Sequence, residues 1–298
     1  MPGSFFSRVF LRIAARLDAN VAGATAFPVG SYYSPLLDLD EVARDPQRLV
    51  AASEQAWSTI VLRESEQRVL LEEFLAKPTG MPLAREANER WRYFAVNEFF
   101  VFSDAWALTQ MIAKWRPRRI IEVGSGFSSA AMLDARDHLQ LPLELTFIEP
   151  YPKRLESLLR PADRAFTRVL AERVQDVATS VFAELESGDF LFIDSSHVAK
   201  IGSDLADLFA RVLPSIAPGV FVHFHDIFFP GPYPLPWVQQ GRAWNEVLFL
   251  QAFLQFNEAF EVQWFNAFAG VQFRAELAAR CPRFLEDTGG SLWLRRVR

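Results

Sequence analysis

The run from Arg118 to Ser129, RRIIEVGSGFSS, constrains this chain more than any other stretch. Ile120, Ile121 and Val123 read as a short buried strand that breaks at Gly124-Ser125-Gly126, and Ser128 to Leu133 suits the first turns of a helix. Strand, glycine turn and helix in this order present backbone N–H groups and the positive end of a helix to a nucleotide-like ligand. The two glycines let the backbone turn sharply and let a ligand come close. A third glycine in the dinucleotide spacing would fall on Ser129, and no lysine follows the second glycine as a P-loop requires. Both of those ligand classes are therefore disfavoured.

The pattern continues. A second strand, Leu143 to Ile148, ends at Glu149-Pro150, and an acidic residue about 20 positions after the glycine turn suits hydrogen bonding to a ribose diol. A helix follows from Pro152 to Leu159. Val169 and Leu170 mark a weak third strand. Asp176 suits the N-cap of a helix from Val177 to Leu185. Asp189 to Asp194 reads as a fourth strand, apolar on both faces as a central parallel strand should be. A helix from Ser203 to Val212 leads to a fifth strand, Val220 to Asp226. Ligands of open α/β sheets bind at the carboxyl ends of the strands. Gly124 to Gly126, Glu149, Asp194 to His197 and His225-Asp226 are thus expected to converge on one crevice. A helix from Arg242 to Gln255 and a late strand pair, Phe260 to Phe265 and Ser291 to Arg295, complete the series.

Composition excludes several classes. Net charge is −5 with no Lys/Arg-rich run, so there is no electrostatic case for nucleic acid. The single cysteine, Cys281, excludes an intrachain disulfide and a zinc ribbon and fits a reducing cytoplasm. No stretch reaches the ~18 apolar residues of a membrane span. Phe5, Phe6, Val9, Phe10, Ile13 and Leu17 recur at helical spacing with arginines between them. We expect this helix to pack on the domain or on a partner subunit in a homo-oligomer. Peripheral membrane contact through residues 5–17 and a mitochondrial targeting helix are the alternatives, and the interspersed arginines exclude a secretory signal. Residues 21 to 115 do not repeat the α/β alternation; one or two helices from Glu54 to Leu75 and a helix from Ser103 to Lys114 are expected. The division expected is a helical extension at 1–114 and a ligand-binding domain at 115–298.

Glu122 just before Gly124 completes E-x-G-x-G after a buried strand, which resembles motif I of class I S-adenosylmethionine-dependent methyltransferases. FIEPYPKRLESLLRP, DFLFIDSSHV and PGVFVHFHDIFFP, with the early YYSPLLDLDEV and the late RAWNE, resemble the bacterial methyltransferase family 24 group over nearly the whole chain. The resemblance implies a doubly wound, mostly parallel seven-stranded α/β sheet, Rossmann-like, with an N-terminal helical cap. It implies S-adenosylmethionine (SAM) as cofactor, with Glu122, Gly124, Ser125, Gly126 and Ser128 at the first loop and Glu149 at the ribose. Asp176 falls near the adenine, as the alternative to its capping role, and Asp194 near the methionine moiety and the acceptor. The acceptor expected is a small molecule, a sugar or glycosylated metabolite methylated on oxygen. The rivals are N-methylation, a cephalosporin-hydroxylase-like relative and a non-catalytic cofactor-binding module.

Methyl transfer to a hydroxyl needs in-line positioning and removal of a proton. Asp194, His197, His225 and Asp226 are the candidates for this chemistry. In one reading Asp194 and Asp226, with His225 or His197, hold a divalent cation (Mg²⁺ or Mn²⁺), since metal-dependent small-molecule O-methyltransferases place a carboxylate after the fourth strand and a ligand pair after the fifth. A histidine ligand shifts the preference away from Mg²⁺. In the other, His197 or His225 is a general base oriented by Asp226 or Asp194. His223 is expected to be a core histidine. Tyr233, Trp237 and Trp244 are either acceptor walls or loop packing. Asn245-Glu246 either contacts an acceptor hydroxyl or caps its helix.

Overall fold

The computed structural model describes residues 26–298; the amphipathic segment 5–17 lies outside the described residues. They form two compact units: the described residues up to Ala51 with Pro234–Ala243, and Ala52–Tyr233 with Trp244–Arg298. In the first, Asp38 caps the helix Leu39–Arg44 by accepting from the N–H groups of Asp40 and Glu41, as short acceptors at this position do. The short helix Leu235–Gln239 belongs to the same unit, and Arg242 lies over the Trp237 ring at 4.4 Å.

The second unit holds a seven-stranded sheet. Its strands are β1 Arg119–Val123, β2 Glu144–Ile148, β3 Thr167–Leu170, β4 Phe190–Ile193, β5 Phe221–Phe224, β6 Phe260–Phe265 and β7 Leu292–Arg296. Their order is β3-β2-β1-β4-β5-β7-β6. β7 runs antiparallel between β5 and β6, and the other neighbours are parallel. β4 is buried along its whole length, and so is β5, because helices cover both faces. The chain leaves β1 toward β2 on one side and enters β4 on the other, which opens a crevice at the carboxyl ends of β1 and β4.

Several helices are shorter than their sequence patterns predict. The expected helix over Val177–Leu185 shrinks to Thr179–Phe182 with Ala178 at its N-cap. Asp176 is therefore not a cap: it closes the turn Val174–Asp176 and pairs with Arg173 at 2.8 Å. The helix expected at Ser203 starts with the Ser203 hydroxyl accepting from Ala206 N–H. It then runs through a π-type turn, Leu208–Val212, before Pro214, whose missing N–H and ring disturb the regular ladder. The helix expected from Arg242 begins only at Glu246, because the N–H groups of Asn245 and Glu246 are committed to the carbonyl of His197.

The helices Glu64–Ala76 and Phe102–Trp115 pack in the same unit as the sheet. Residues 84–100 form neither helix nor strand, and Arg92 fastens them. Its side chain is 4% exposed. The guanidinium reaches Asp134 at 2.8 Å and Asp137 at 2.9 Å and forks onto Asp163 at 2.5 and 3.1 Å. The other Asp134 oxygen accepts from the backbone N–H of Arg92 and of Tyr93, both at 2.8 Å. Three carboxylates and one guanidinium thus tie an irregular segment to the helix Phe127–Leu139, through Asp134 and Asp137, and to the turn Pro161–Ala165, through Asp163. Removing the cation leaves Asp134 and Asp163 buried and uncompensated. Arg92→Ala should cost about 3–5 kcal/mol of unfolding free energy in denaturant titration; a loss under about 1 kcal/mol would show that the clamp is not holding the segment.

Candidate active site

Sheet register builds the site. Val123 lies opposite Ile148 and Ile193, and Ile193 lies opposite Phe224. The next residue on each strand, Gly124, Glu149, Asp194 and His225, therefore falls on one line along the carboxyl edge. Backbone bonds hold that line: Gly124 N–H donates to Ile148, Asp194 N–H to Val123, and His225 N–H to Ile193, all at 2.8–3.0 Å.

The glycine loop rests on this edge. Gly124 has φ +81°, and a Cβ there would lie 1.8 Å from the Asp194 carbonyl oxygen, so no larger residue fits. Ser125 N–H donates to Glu149 Oε2 at 3.2 Å, while Tyr151 N–H donates to Oε1 at 2.8 Å. Gly126 N–H donates to Ser129 Oγ at 3.0 Å, and that hydroxyl donates to Glu122 Oε2. Ser128 is buried in the first turn of the helix. Glu122 lies beneath the loop with no exposure. Burial pushes its carboxyl up to about 8, against the pull of the Ser128 and Ser129 hydroxyls. Phe94 and Phe99 pack on Phe127, and the Arg154 guanidinium lies 3.7 Å over the Phe99 ring, its Cδ 3.2 Å from where a Gly126 Cβ would be.

Beside the loop, His197 stands among carboxylates. Nδ1 is 2.8 Å from Glu246 Oε2, and Nε2 is 3.5 Å from both Asp194 Oδ1 and Asp226 Oδ2. Burial opposes its charge, but Asp194 and Glu246 outweigh it and raise the imidazole well above its usual range. Burial also opposes charge on Asp194; His225, His197 and Arg154 overcome it and hold the carboxyl below its usual range. Burial pushes Glu246 up, with His197 pulling it back. His197 and Asp226 both have left-handed backbone, φ 60° and 56°, which costs a non-glycine residue of order 1–3 kcal/mol and clusters at functional sites. The Trp244 ring lies 4.5 Å from the His197 ring, and Tyr233 lies 5.8 Å from Trp244. Trp237 belongs to the other unit.

His225 is different. It is buried, its Nε2 is 3.3 Å from the Phe99 carbonyl, and Asp194, Asp226 and Asp104 lift it, against burial, to about 9. That Nε2, donating to a carbonyl, offers no lone pair to a metal, while His225 Nδ1 is buried without a hydrogen-bond partner. Among the described residues, Asp194, His225 and Asp226 included, no three His, Cys, Asp or Glu side chains are disposed to hold a cation. His223 faces Ser291 Oγ at 3.0 Å and stacks on Phe192; burial and the His225 charge hold it neutral, far below the usual range. Asp176 sits exposed on Arg173, away from these side chains' hydrogen bonds.

Among the described residues, the buried polar atoms without a hydrogen-bond partner include four beside the glycine loop and His197: Glu122 Oε1, Ser125 Oγ, Ser195 Oγ and Glu246 Oε1. Three lie at the carboxyl ends of β1 and β4 and the fourth on the Glu246 carboxyl beside His197, which suits a polar ligand across the glycine loop. Arg154 and the Phe99 carbonyl were not legible in the sequence, because their roles depend on neighbours distant in the chain. Asn245-Glu246 was legible as a helix start or an acceptor contact, and its bonds to His197 and Ala199 were not.

The raised Glu122 makes a sign-definite prediction. The folded state holds this proton between the ordinary 4.5 and about 8, where the unfolded chain has released it. Its contribution to stability therefore falls as pH rises through that window. Glu122→Gln has no such proton, so its stability relative to the parent should increase from about pH 5 to about pH 8 in denaturant unfolding. A difference that is flat in pH would mean that Glu122 ionises normally.

A family model described as a methyltransferase domain, methyltransferase family 24, matches residues 121–227. An uncharacterized protein of Archaeoglobus fulgidus is 32% identical over 169 residues, 54% of this chain and 74% of its own length. Among solved structures, the chain is similar to the O-methyltransferase TomG from Streptomyces achromogenes, involved in tomaymycin synthesis and bound to SAM. That likeness is at 15% identity with a TM-score of 0.44, over 65% of this chain and 79% of that one. It is also similar to the methyltransferase PaMTH1 of Podospora anserina, bound to SAH, at 16% identity and a TM-score of 0.41, over 77% and 88%. From the glycine loop, the sheet order and the family match, the chain belongs to methyltransferase family 24, within the class I SAM-dependent methyltransferases.

Proposed function

We propose that the protein methylates a hydroxyl oxygen of a small polar molecule, a sugar or glycosylated metabolite, with His197 as general base and without a metal ion. The observation that carries this reading is His197 Nε2, set between Asp194 and Asp226 at the edge of the glycine loop. The donor set of the loop fits the cofactor: Glu122, Gly124, Ser125, Gly126 and Ser128 at the methionine end, Glu149 at the ribose, and Asp176 toward the adenine. Bound SAM supplies an electrophilic methyl group on a sulfonium. Asp194 and Asp226 accept hydrogen bonds from the acceptor and orient its oxygen, and Trp244 and Tyr233 offer an aromatic wall of the kind that sugars stack on. That methyl group would pass to the acceptor oxygen and leave the neutral thioether behind, and the hydroxyl proton would go to His197 Nε2. His225, cationic and buried, serves as the counter-charge that keeps Asp194 ionised. Residues 94–100 act as a cap, since Phe94, Phe99 and the Phe99 carbonyl reach this edge.

Calorimetric titration of SAM and SAH into chelator-treated protein, with and without Mg²⁺ or Mn²⁺, is the first test. Binding without added metal, lost in Gly124→Ala, is expected; no binding under any condition would overturn the reading. A panel of hydroxyl and amine acceptors then tests the atom, and methylation confined to amines would overturn it. Because Asp194 and Glu246 hold His197 protonated, the transfer rate should rise with pH on the alkaline side of the ordinary histidine range. His197→Gln should remove that limb and about 10²–10⁴ of the rate.

A further inference from the structure

Glu246 is buried to 1% exposure and opens the helix Glu246–Gln255. Its Oε2 meets His197 Nδ1 at 2.8 Å, and its Oε1 has no partner. The residue before it grips the loop that carries His197. Asn245 Oδ1 accepts from Ala199 N–H at 2.6 Å, Asn245 Nδ2 donates to the Ala199 carbonyl at 3.2 Å, and the N–H groups of Asn245 and Glu246 both donate to the His197 carbonyl. On the far side Asp204 accepts from Ser196 N–H and Oγ. These bonds hold His197 in its left-handed backbone, so the ring has one orientation, with Trp244 against it.

We infer that Glu246 is the positioning residue of the active site: it fixes the tautomer of His197, keeping a proton on Nδ1 so that Nε2 is the nitrogen presented to the acceptor. The inference rests on the methyltransfer reading for its purpose and on Glu246–His197 geometry for its substance. Ionised Glu246 accepts only, so the nitrogen facing it must donate. A free imidazole carries its neutral proton mostly on Nε2, the wrong nitrogen for a base aimed between Asp194 and Asp226. The carboxylate reverses that preference. The charged or titratable groups around the ring are Glu246 on one nitrogen, Asp194 and Asp226 on the other, and His225 behind the aspartates. Among the described residues, Glu246 is the carboxylate that meets Nδ1. In a neutral Glu246→Gln variant the amide can donate or accept, and the selection is lost.

The test is nitrogen NMR of the full chain labelled in its histidines, with His197 assigned by the signals missing in His197→Gln. We expect His197 Nδ1 to carry a proton in both charge states of the ring, with a far-downfield, slowly exchanging resonance, and we expect that resonance to be lost in Glu246→Gln. An Nδ1 without a proton in the parent protein, or an unchanged downfield resonance in folded Glu246→Gln, would overturn the inference. If Glu246→Gln does not fold, the pattern of the parent protein decides by itself. SAM titration of the same samples separates the two readings: protein that shows the Nδ1 proton but binds no cofactor keeps the dyad and sinks the methyltransferase chemistry.

Discussion

The parallel register of β1 with β2 and β4, and of β4 with β5, is the constraint on which the rest depends. A shift of one residue would turn every side chain to the opposite face. It would also move Asp194 and His225 off the line of Gly124 and Glu149. The register is held by core side chains with no exposure, among them Phe147, Phe190, Phe192, Phe221 and Phe224. Packing of the core and placement of the polar edge are therefore one event. The close fit of Gly124 on the Asp194 carbonyl locks β1 to β4 at the point where they diverge.

Charge is buried at this edge in a balanced way. Asp194 and Asp226 face His197 and His225, with Asp104 further in. Asp104 accepts from Gly290 N–H, Ser291 N–H, Ser291 Oγ and Asn266 Nδ2, and Ser291 in turn meets His223. Each group would be costly to bury alone, and a half-satisfied network would be worse than an apolar core. Here most members have partners; among the exceptions are His223 Nδ1 and His225 Nδ1 within the network, and Glu122 Oε1, Ser125 Oγ, Ser195 Oγ and Glu246 Oε1 where a ligand is expected. The same low dielectric separates the histidines: one is held neutral and two are held charged, although His223 and His225 are neighbours on one strand face.

Segments without regular structure complete the site and are fixed by side chains. Arg92 anchors 84–100, and thereby the Phe99 carbonyl, through three aspartates. Asn245 and Asp204 anchor 195–199. Loops that carry functional groups must meet their backbone hydrogen bonds somewhere, and in this molecule a few buried polar side chains meet them.

The sequence by itself determined the strand, glycine turn and helix at 119–139, the strands that follow, and the acidic residue at the end of β2. Hydrophobic runs and glycine are local signals, and local signals survive in one dimension. It also brought Asp194, His197, His225 and Asp226 forward, since strand ends can be counted. Only the tertiary structure decided what each of these does. Whether a histidine faces a carboxylate, as His197 faces Glu246, or a backbone carbonyl, as His225 faces that of Phe99, depends on chain 49 and 126 residues away. Helix lengths failed for the same reason: the backbone N–H groups of Asn245 and Glu246 serve a distant loop instead of their own helix. Propensity and periodicity describe what a segment prefers alone, whereas a buried polar group takes the partner that the fold brings within about 3 Å.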